Sequence, residues 1–125
     1  MKKIAVLGGG QVGASVAKIL TDDGNDITLV DNNASVLEDL QEDNDIKTIQ
    51  GNASSPSVLN QVELSDCDIL IATTSSDEVN LVSCHLAKKM FNVPNVIARL
   101  RNAEYREETS DSVSYTHLRA HETNS

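Results

Sequence analysis

Short apolar runs recur along this chain at intervals of about 20 residues, and each ends at or near a glycine or a polar residue. A short continuous apolar run is typical of a strand that is covered on both faces, and the interval leaves room for one helix between successive strands. The runs therefore predict alternating strands and helices around a mostly parallel sheet. The predicted strands are residues 4–7, 27–30, 46–49, 68–72 and 95–98.

The intervals between the runs carry the apolar spacing of amphipathic helices. Gly24 predicts the end of the first helix, Ser55 followed by Pro56 predicts the start of the third, and Ser75 or Ser76 is the expected N-cap of the fourth. The fold class is thus α/β, a single-domain, doubly wound parallel sheet of Rossmann-like type with strand order 3-2-1-4-5. The apolar stripes are Val12, Val16, Ile19 and Leu20; Val36, Leu37 and Leu40; Leu59 and Val62; and Val79, Val82, Leu86 and Met90.

The strand and helix rhythm defines one domain over residues 1–110. Residues 111–125 continue neither pattern, although they hold two of the three histidines. We expect this segment to be an irregular or non-native tail, and it enters no functional argument.

The charge balance restricts the possible partners. Ten Lys plus Arg against 19 Asp plus Glu give a net charge of −9, which disfavours nucleic acid and anionic membrane surfaces. No apolar run approaches the roughly 18 residues of a spanning helix, so we expect a soluble, cytoplasmic chain without direct membrane insertion. Cys67 and Cys84 have no metal-ligand spacing and are interpreted as reduced, packed thiols.

A glycine-rich turn follows the first predicted strand directly. Residues 8–13 match the G-x-G-x-x-G pattern between a strand and a helix. In this context Gly8 permits the tight turn, Gly10 leaves space for a pyrophosphate, and Gly13 allows close packing of helix and sheet. The N–H groups of Gly10, Gln11 and Val12 would then meet the anion at the positive end of the helix.

Asp31 ends the second strand at the place where such domains bind a ribose. Its carboxylate is suited to accept hydrogen bonds from the two ribose hydroxyls, and its charge would repel a 2′-phosphate. Asn32, which we also expect to contact the cofactor, and Asn33 follow, with no arginine to receive that phosphate, so NAD is favoured over NADP. The alternative is that Asp31 only caps the second helix.

Three further groups lie at the predicted carboxyl ends of strands. Asn52 and Ala53 follow the third strand beside the expected adenine pocket, or form a plain turn. Thr74 and Ser75 follow the fourth strand and would face the middle of a dinucleotide, or serve in helix capping. Arg99 ends the fifth strand and would either neutralise a phosphate or lie in solvent.

Segments 4–13, 25–31, 73–80 and 91–101 resemble the N-terminal domain family of TrkA proteins, which are cytoplasmic regulators of the RCK (regulator of potassium conductance) type. The Thr-Ser-Ser-Asp-Glu-Val-Asn stretch and the Ala-Arg-Leu-Arg ending carry most of the resemblance. It implies a pyrophosphate site, a ribose contact at Asp31, a nicotinamide contact at Thr74 and Ser75, and a phosphate contact at Arg99. The implied pyrophosphate residues are Gly8, Gly9, Gly10, Gln11 and Val12.

The resemblance further implies a regulatory domain that binds NAD or NADH and controls potassium ion transport. Its expected partner is a membrane potassium transporter subunit of the TrkH/TrkG type, with a homo-oligomer in the full-length protein and a position at the inner face of the membrane through that partner. No catalytic residue and no metal ligand is predicted. The alternatives are the cofactor domain of a truncated NAD-dependent oxidoreductase and a domain that senses ATP or ADP.

Overall fold

A computed structural model describes residues 1–43 and 45–108 and contains one sheet of five parallel strands. The strand order is β3-β2-β1-β4-β5, so the predicted Rossmann-like topology is confirmed. Each predicted strand is present, with bounds that differ by one residue or less at either end. The strands are β1 (Lys3–Leu7), β2 (Asp26–Asp31), β3 (Lys47–Gln50), β4 (Ile69–Ala72) and β5 (Asn95–Ala98).

Helices connect the strands on both faces of the sheet. The four predicted helices are confirmed, and a fifth short helix that the sequence pattern did not indicate follows β5. The expected tail, residues 111–125, lies outside the described residues. The helices are α1 (Gln11–Asp22), α2 (Ala34–Asp43), α3 (Pro56–Gln61), α4 (Asp77–Phe91) and α5 (Ala103–Glu108), with a 3-10 turn at Leu64–Asp66. Over the described ranges, none of these helices has the length and apolarity needed to cross a bilayer.

The ends of α4 follow the expected chemistry. The Ser76 hydroxyl accepts a hydrogen bond from the Val79 N–H at 3.2 Å, so Ser76 is the N-cap. Two acidic residues occupy the first turn and two lysines the last, where each charge is favoured by the helix dipole. Asn92 ends the helix in the left-handed conformation at a φ of 56°. The sequence therefore determines both boundaries of this helix locally.

The buried faces of α1 and α4 differ from the predicted stripes. Ile19 is 62% exposed, and Val82 and Met90 are 47% and 56% exposed. The buried positions are instead mostly small: Gly13 and Ala17 in α1, and Asn80, Ser83, Cys84, Ala87 and Phe91 in α4. Small side chains let each helix approach the sheet closely. Val16, Leu20, Val79 and Leu86 of the predicted stripes are partly buried and pack against the core at the edge of these contacts.

Both cysteines are free and buried, as expected. Burial raises the pKa of the Cys67 thiol to about 11 and that of Cys84 to about 12. At pH 8 at most about one thiol in a thousand is therefore ionised in the folded chain. We expect dithionitrobenzoate to leave the native chain unmodified at this pH and to titrate both thiols in denaturant. Rapid modification of the native chain would contradict this arrangement.

Candidate functional site

One crevice of about 1020 Å³ opens at the carboxyl ends of the strands, where the strand order reverses between β1 and β4. This is the place where doubly wound sheets bind ligands. Eleven of the twelve predicted binding residues line it, and Gly9 is the exception. They are Gly8, Gly10, Gln11, Val12, Asp31, Asn32, Asn52, Ala53, Thr74, Ser75 and Arg99.

The glycine turn forms the floor of the crevice. Gly8 adopts a φ of +100°, and its N–H donates to the Val30 carbonyl oxygen at 2.7 Å. A Cβ on Gly13 would lie 1.8 Å from the Gly8 carbonyl oxygen, so α1 packs against the turn more closely than any other residue permits. A Cβ on Gly10 would meet no atom within 4 Å. The turn is thus closed towards the sheet at Gly13 and open towards the crevice at Gly10.

The start of α1 has no side-chain cap, since Gly10 is its N-cap. The first N–H groups of a helix have no acceptor within the helix itself. Gly10, Gln11 and Val12 all line the crevice, so an acceptor that meets these N–H groups would have to lie in it. The geometry is that of an anion site at a helix N-terminus.

Gly9 lies on the side of the turn that faces away from the crevice. Its N–H donates to Asp31 Oδ2 at 2.6 Å. A Cβ at this position would lie 2.7 Å from Val36 Cγ1 and 3.0 Å from Leu29 Cδ2, so only glycine fits between the turn and the core. Gly9 therefore fastens the turn to β2, a function that its place in the motif did not reveal.

Asp31 is half-buried at the end of β2, and both of its carboxylate oxygens accept backbone hydrogen bonds. Besides the bond from Gly9, Oδ1 accepts from the Asn33 N–H at 2.8 Å. Asn33 itself caps α2, because its Oδ1 accepts from the Ser35 N–H at 2.9 Å. Asp31 therefore holds both the glycine turn and the Asn33 cap of α2 in position. Each carboxylate oxygen also has a second lone pair, which a ribose hydroxyl could use.

The loop after β3 forms the next part of the wall. Asn52 Oδ1 accepts from both the N–H and the hydroxyl of Ser54 at 2.9 Å. These bonds form the turn that was the alternative to a binding role for Asn52. Ala53 is buried, and its carbonyl oxygen accepts from the Ser83 hydroxyl at 2.9 Å. Asn52 and Ala53 thus lie in a loop of defined shape beside Asp31, and their contact with a base remains a prediction.

The opposite wall is built around Asn80, which was not among the predicted binding residues. Asn80 is fully buried; its Oδ1 accepts from the N–H and the hydroxyl of Thr74 at 3.0 and 2.7 Å. Its Nδ2 donates to the carbonyl oxygens of Thr74 and Arg99 at 3.1 and 2.8 Å. The sequence signal for Asn80 was its position: it is a polar residue four positions after the cap Ser76, on the face of α4 that turns to the sheet.

Two arginines carry positive charge on this wall. Arg99 is 9% exposed and Arg101 is exposed, and both line the crevice. The backbone N–H groups of Arg101 and Asn102 donate to the Asp77 carboxylate at 2.9 and 2.7 Å, which holds the segment after β5 against α4. The place of Arg99 at the end of the fifth strand pointed to this residue and not to Arg101, although residues two apart in an extended segment share one face.

Comparison with known proteins shows what the chain resembles. The family model of the TrkA-N domain matches residues 4–116. The Trk system potassium uptake protein TrkA of Haemophilus influenzae is 48% identical over 103 residues, which are 82% of this chain and 22% of that relative. The chain thus spans about a fifth of the length of this relative.

Solved structures share the fold at low identity. The TrkA-N domain of the inner membrane protein ybaL from Escherichia coli superposes with a TM-score of 0.86 at 16% identity, over 98% of this chain and 91% of that one. The GsuK channel bound to NAD gives a TM-score of 0.80 at 18% identity, over 94% of this chain and 21% of that one.

Proposed function

This chain belongs to the TrkA-N domain family, and on that premise we propose that it is a nucleotide-binding regulatory domain of a potassium uptake system, with NAD or NADH as its ligand. One observation carries the proposal. The uncapped start of α1 and Asp31 line the same crevice at the switch point of the sheet. A diphosphate and a ribose joined in one ligand would meet both groups.

The proposed binding mode assigns the crevice lining from one wall to the other. Gly10, Gln11 and Val12 would hold the pyrophosphate through their N–H groups, and Asp31 would accept from the adenosine ribose. Asn32, Asn52 and Ala53 would surround the adenosine. Thr74 and Ser75 would face the nicotinamide half, and Arg99 would contact the phosphate region. Asp31 carries a negative charge at the ribose position, which disfavours the 2′-phosphate of NADP.

The regulatory step that we propose is a shift between two arrangements of neighbouring domains. A ligand shifts such an equilibrium only by its difference in affinity for the two states. The relative from Haemophilus influenzae is named a potassium uptake protein, and GsuK is a channel, which supports a membrane potassium transporter subunit of TrkH/TrkG type as the partner. In this proposal the full-length protein is a homo-oligomer that meets the membrane through that partner, on the cytoplasmic side.

We also propose that the domain is not an enzyme. The ionisable side chains that line the crevice in the described part of the chain are Asp31, Arg99 and Arg101. Asp31 is oriented by two N–H donors as a hydrogen-bond acceptor, and His85 lies on the exposed face of α4. The alternative, a truncated oxidoreductase, predicts turnover of NADH with carbonyl substrates, and we expect none from the full-length protein.

A second candidate ligand is an adenine nucleotide such as ATP or ADP. Arg99 and Arg101 place two positive charges on one wall of the crevice, and these would favour a ligand with additional phosphate charge. The turn and Asp31 would bind the adenosine part in the same manner, so the two candidates differ only in the group that reaches the arginines.

Titration calorimetry of the 125-residue chain with NAD, NADH, NADP, ATP and ADP tests the proposal. We expect NAD or NADH to bind at least about tenfold more tightly than NADP, because only NADP places a phosphate against Asp31. Stronger binding of ATP or ADP would replace the dinucleotide by the second candidate. Absence of heat for every nucleotide, or equal affinity for NADP, would contradict the assignment of this crevice.

A further inference from the structure

We infer that Asn80 is a positioning residue that sets the shape of one wall of the crevice. Through this wall it controls the affinity for the nicotinamide half of a dinucleotide without touching the ligand. The inference rests on the proposed function. Asn80 makes four hydrogen bonds, three to Thr74 and one to the Arg99 carbonyl oxygen, and it has no exposed surface. One side chain thus joins the loop after β4 to the end of β5.

The contacts of Thr74 show why the wall depends on Asn80. The Thr74 N–H donates to Asn80, and its hydroxyl donates to Asn80 Oδ1 at 2.7 Å or to the Ser76 carbonyl oxygen at 3.1 Å. The same hydroxyl oxygen accepts from the Ser76 N–H at 3.3 Å. The polar groups of Thr74 are therefore engaged within the protein. Thr74 shapes the loop that presents Ser75, and its predicted contact with the nicotinamide half is indirect.

The other wall of the crevice is held by different bonds. Asp31 fastens the glycine turn through Gly9, and Asn52 closes its own loop through Ser54. Neither set includes Asn80. Removal of the Asn80 amide would therefore free the Thr74 N–H and the carbonyl oxygens of Thr74 and Arg99, while the hydrogen bonds of Asp31 and Asn52 on the adenosine wall remain. Loss of a buried amide with several partners is also the kind of change that leaves donors and acceptors unsatisfied.

Because different bonds hold the two walls, calorimetry on the 125-residue chain can test whether Asn80 affects NADH binding more than AMP binding. We expect Asn80→Ala to weaken NADH binding about tenfold or more and AMP binding by less than about threefold, because AMP occupies only the adenosine wall. Val93→Ala is the matched control. Val93 is 1% exposed and precedes β5 at the opposite end of the sheet, so this variant should lower Tm without changing the ratio of the two affinities.

Amide hydrogen exchange supplies a readout that needs no ligand. In Asn80→Ala the Thr74 amide should exchange at least about tenfold faster, while the Gly9 amide, which donates to Asp31, keeps its protection. If Asn80→Ala does not fold, Asn80→Ser is measured in its place, since it keeps a hydroxyl at this position. Equal losses of NADH and AMP affinity, or an unchanged affinity for both, would overturn the inference. Absence of binding by the unmodified chain would instead refute the proposed function, and the inference with it.

Discussion

Gly13→Ala is expected to destabilise the domain by about 3 kcal/mol or more, although alanine is the better helix former at an ordinary position. The added Cβ would lie 1.8 Å from the Gly8 carbonyl oxygen and 2.7 Å from Thr73 Oγ1. Both neighbours are fixed, because Thr73 is 3% exposed and its hydroxyl donates to the carbonyl oxygens of Leu7 or Gly8. Helix α1 would have to move off the sheet.

Thermal unfolding followed by circular dichroism measures this effect, and a fall in Tm of about 10 °C or more is expected for a chain of this size. Gly10→Ala is the matched control, since it adds the same methyl group three residues earlier. Its Cβ meets no atom within 4 Å, and the φ of −70° suits alanine. This variant should lose less than about 1 kcal/mol of stability, the difference between glycine and alanine at an N-cap.

The two glycines should separate stability from binding. Gly10→Ala places its methyl group in the crevice, so we expect NADH affinity to fall by about tenfold or more while Tm is almost unchanged. A Gly10→Ala variant that binds NADH with normal affinity would contradict the placement of the pyrophosphate beside Gly10. A Gly13→Ala variant as stable as the unmodified chain would contradict the close contact between α1 and the turn.

The sequence predicted those features that local chemistry determines. The glycine turn, the Ser76 cap and the polar ends of the strands each follow from residues that are close together along the chain. The strand order followed from the doubly wound pattern, because right-handed crossovers leave few arrangements of five parallel strands. Because the strand ends share one edge, Asp31, Thr74 and Arg99 all lie at that edge, where they line one crevice.

The errors concern contacts between distant segments. Periodicity favoured Val82 and Met90 as the packed face of α4, but hydrogen bonds to loops turn Asn80 and Ser83 inward instead. The partners of those two side chains, the carbonyl oxygens of Arg99 and Ala53, are 19 and 30 residues away in the sequence. A pattern of apolar residues holds no information about a carbonyl oxygen at that separation.

Asp31 shows the same limit at a residue whose position was correctly predicted. Spacing identified it as a ribose acceptor, whereas the structure adds its bonds to Gly9 and Asn33. We therefore expect Asp31→Asn to lose about 1.5 to 3 kcal/mol of stability, because an amide has only one acceptor oxygen for two N–H donors. Urea unfolding of the 125-residue chain and of the variant, both without ligand, measures this loss of stability.

The ribose role requires a ligand comparison, because a displaced turn would weaken every nucleotide. The unmodified chain should bind AMP at least about tenfold more tightly than 2′,3′-dideoxy-AMP, since each charge-assisted hydrogen bond contributes about 1.5 to 3 kcal/mol. In Asp31→Asn that preference should shrink to about threefold or less, and the discrimination between NAD and NADP should shrink with it. If Asp31→Asn keeps both preferences while its stability falls, Asp31 holds the turn and another group recognises the sugar.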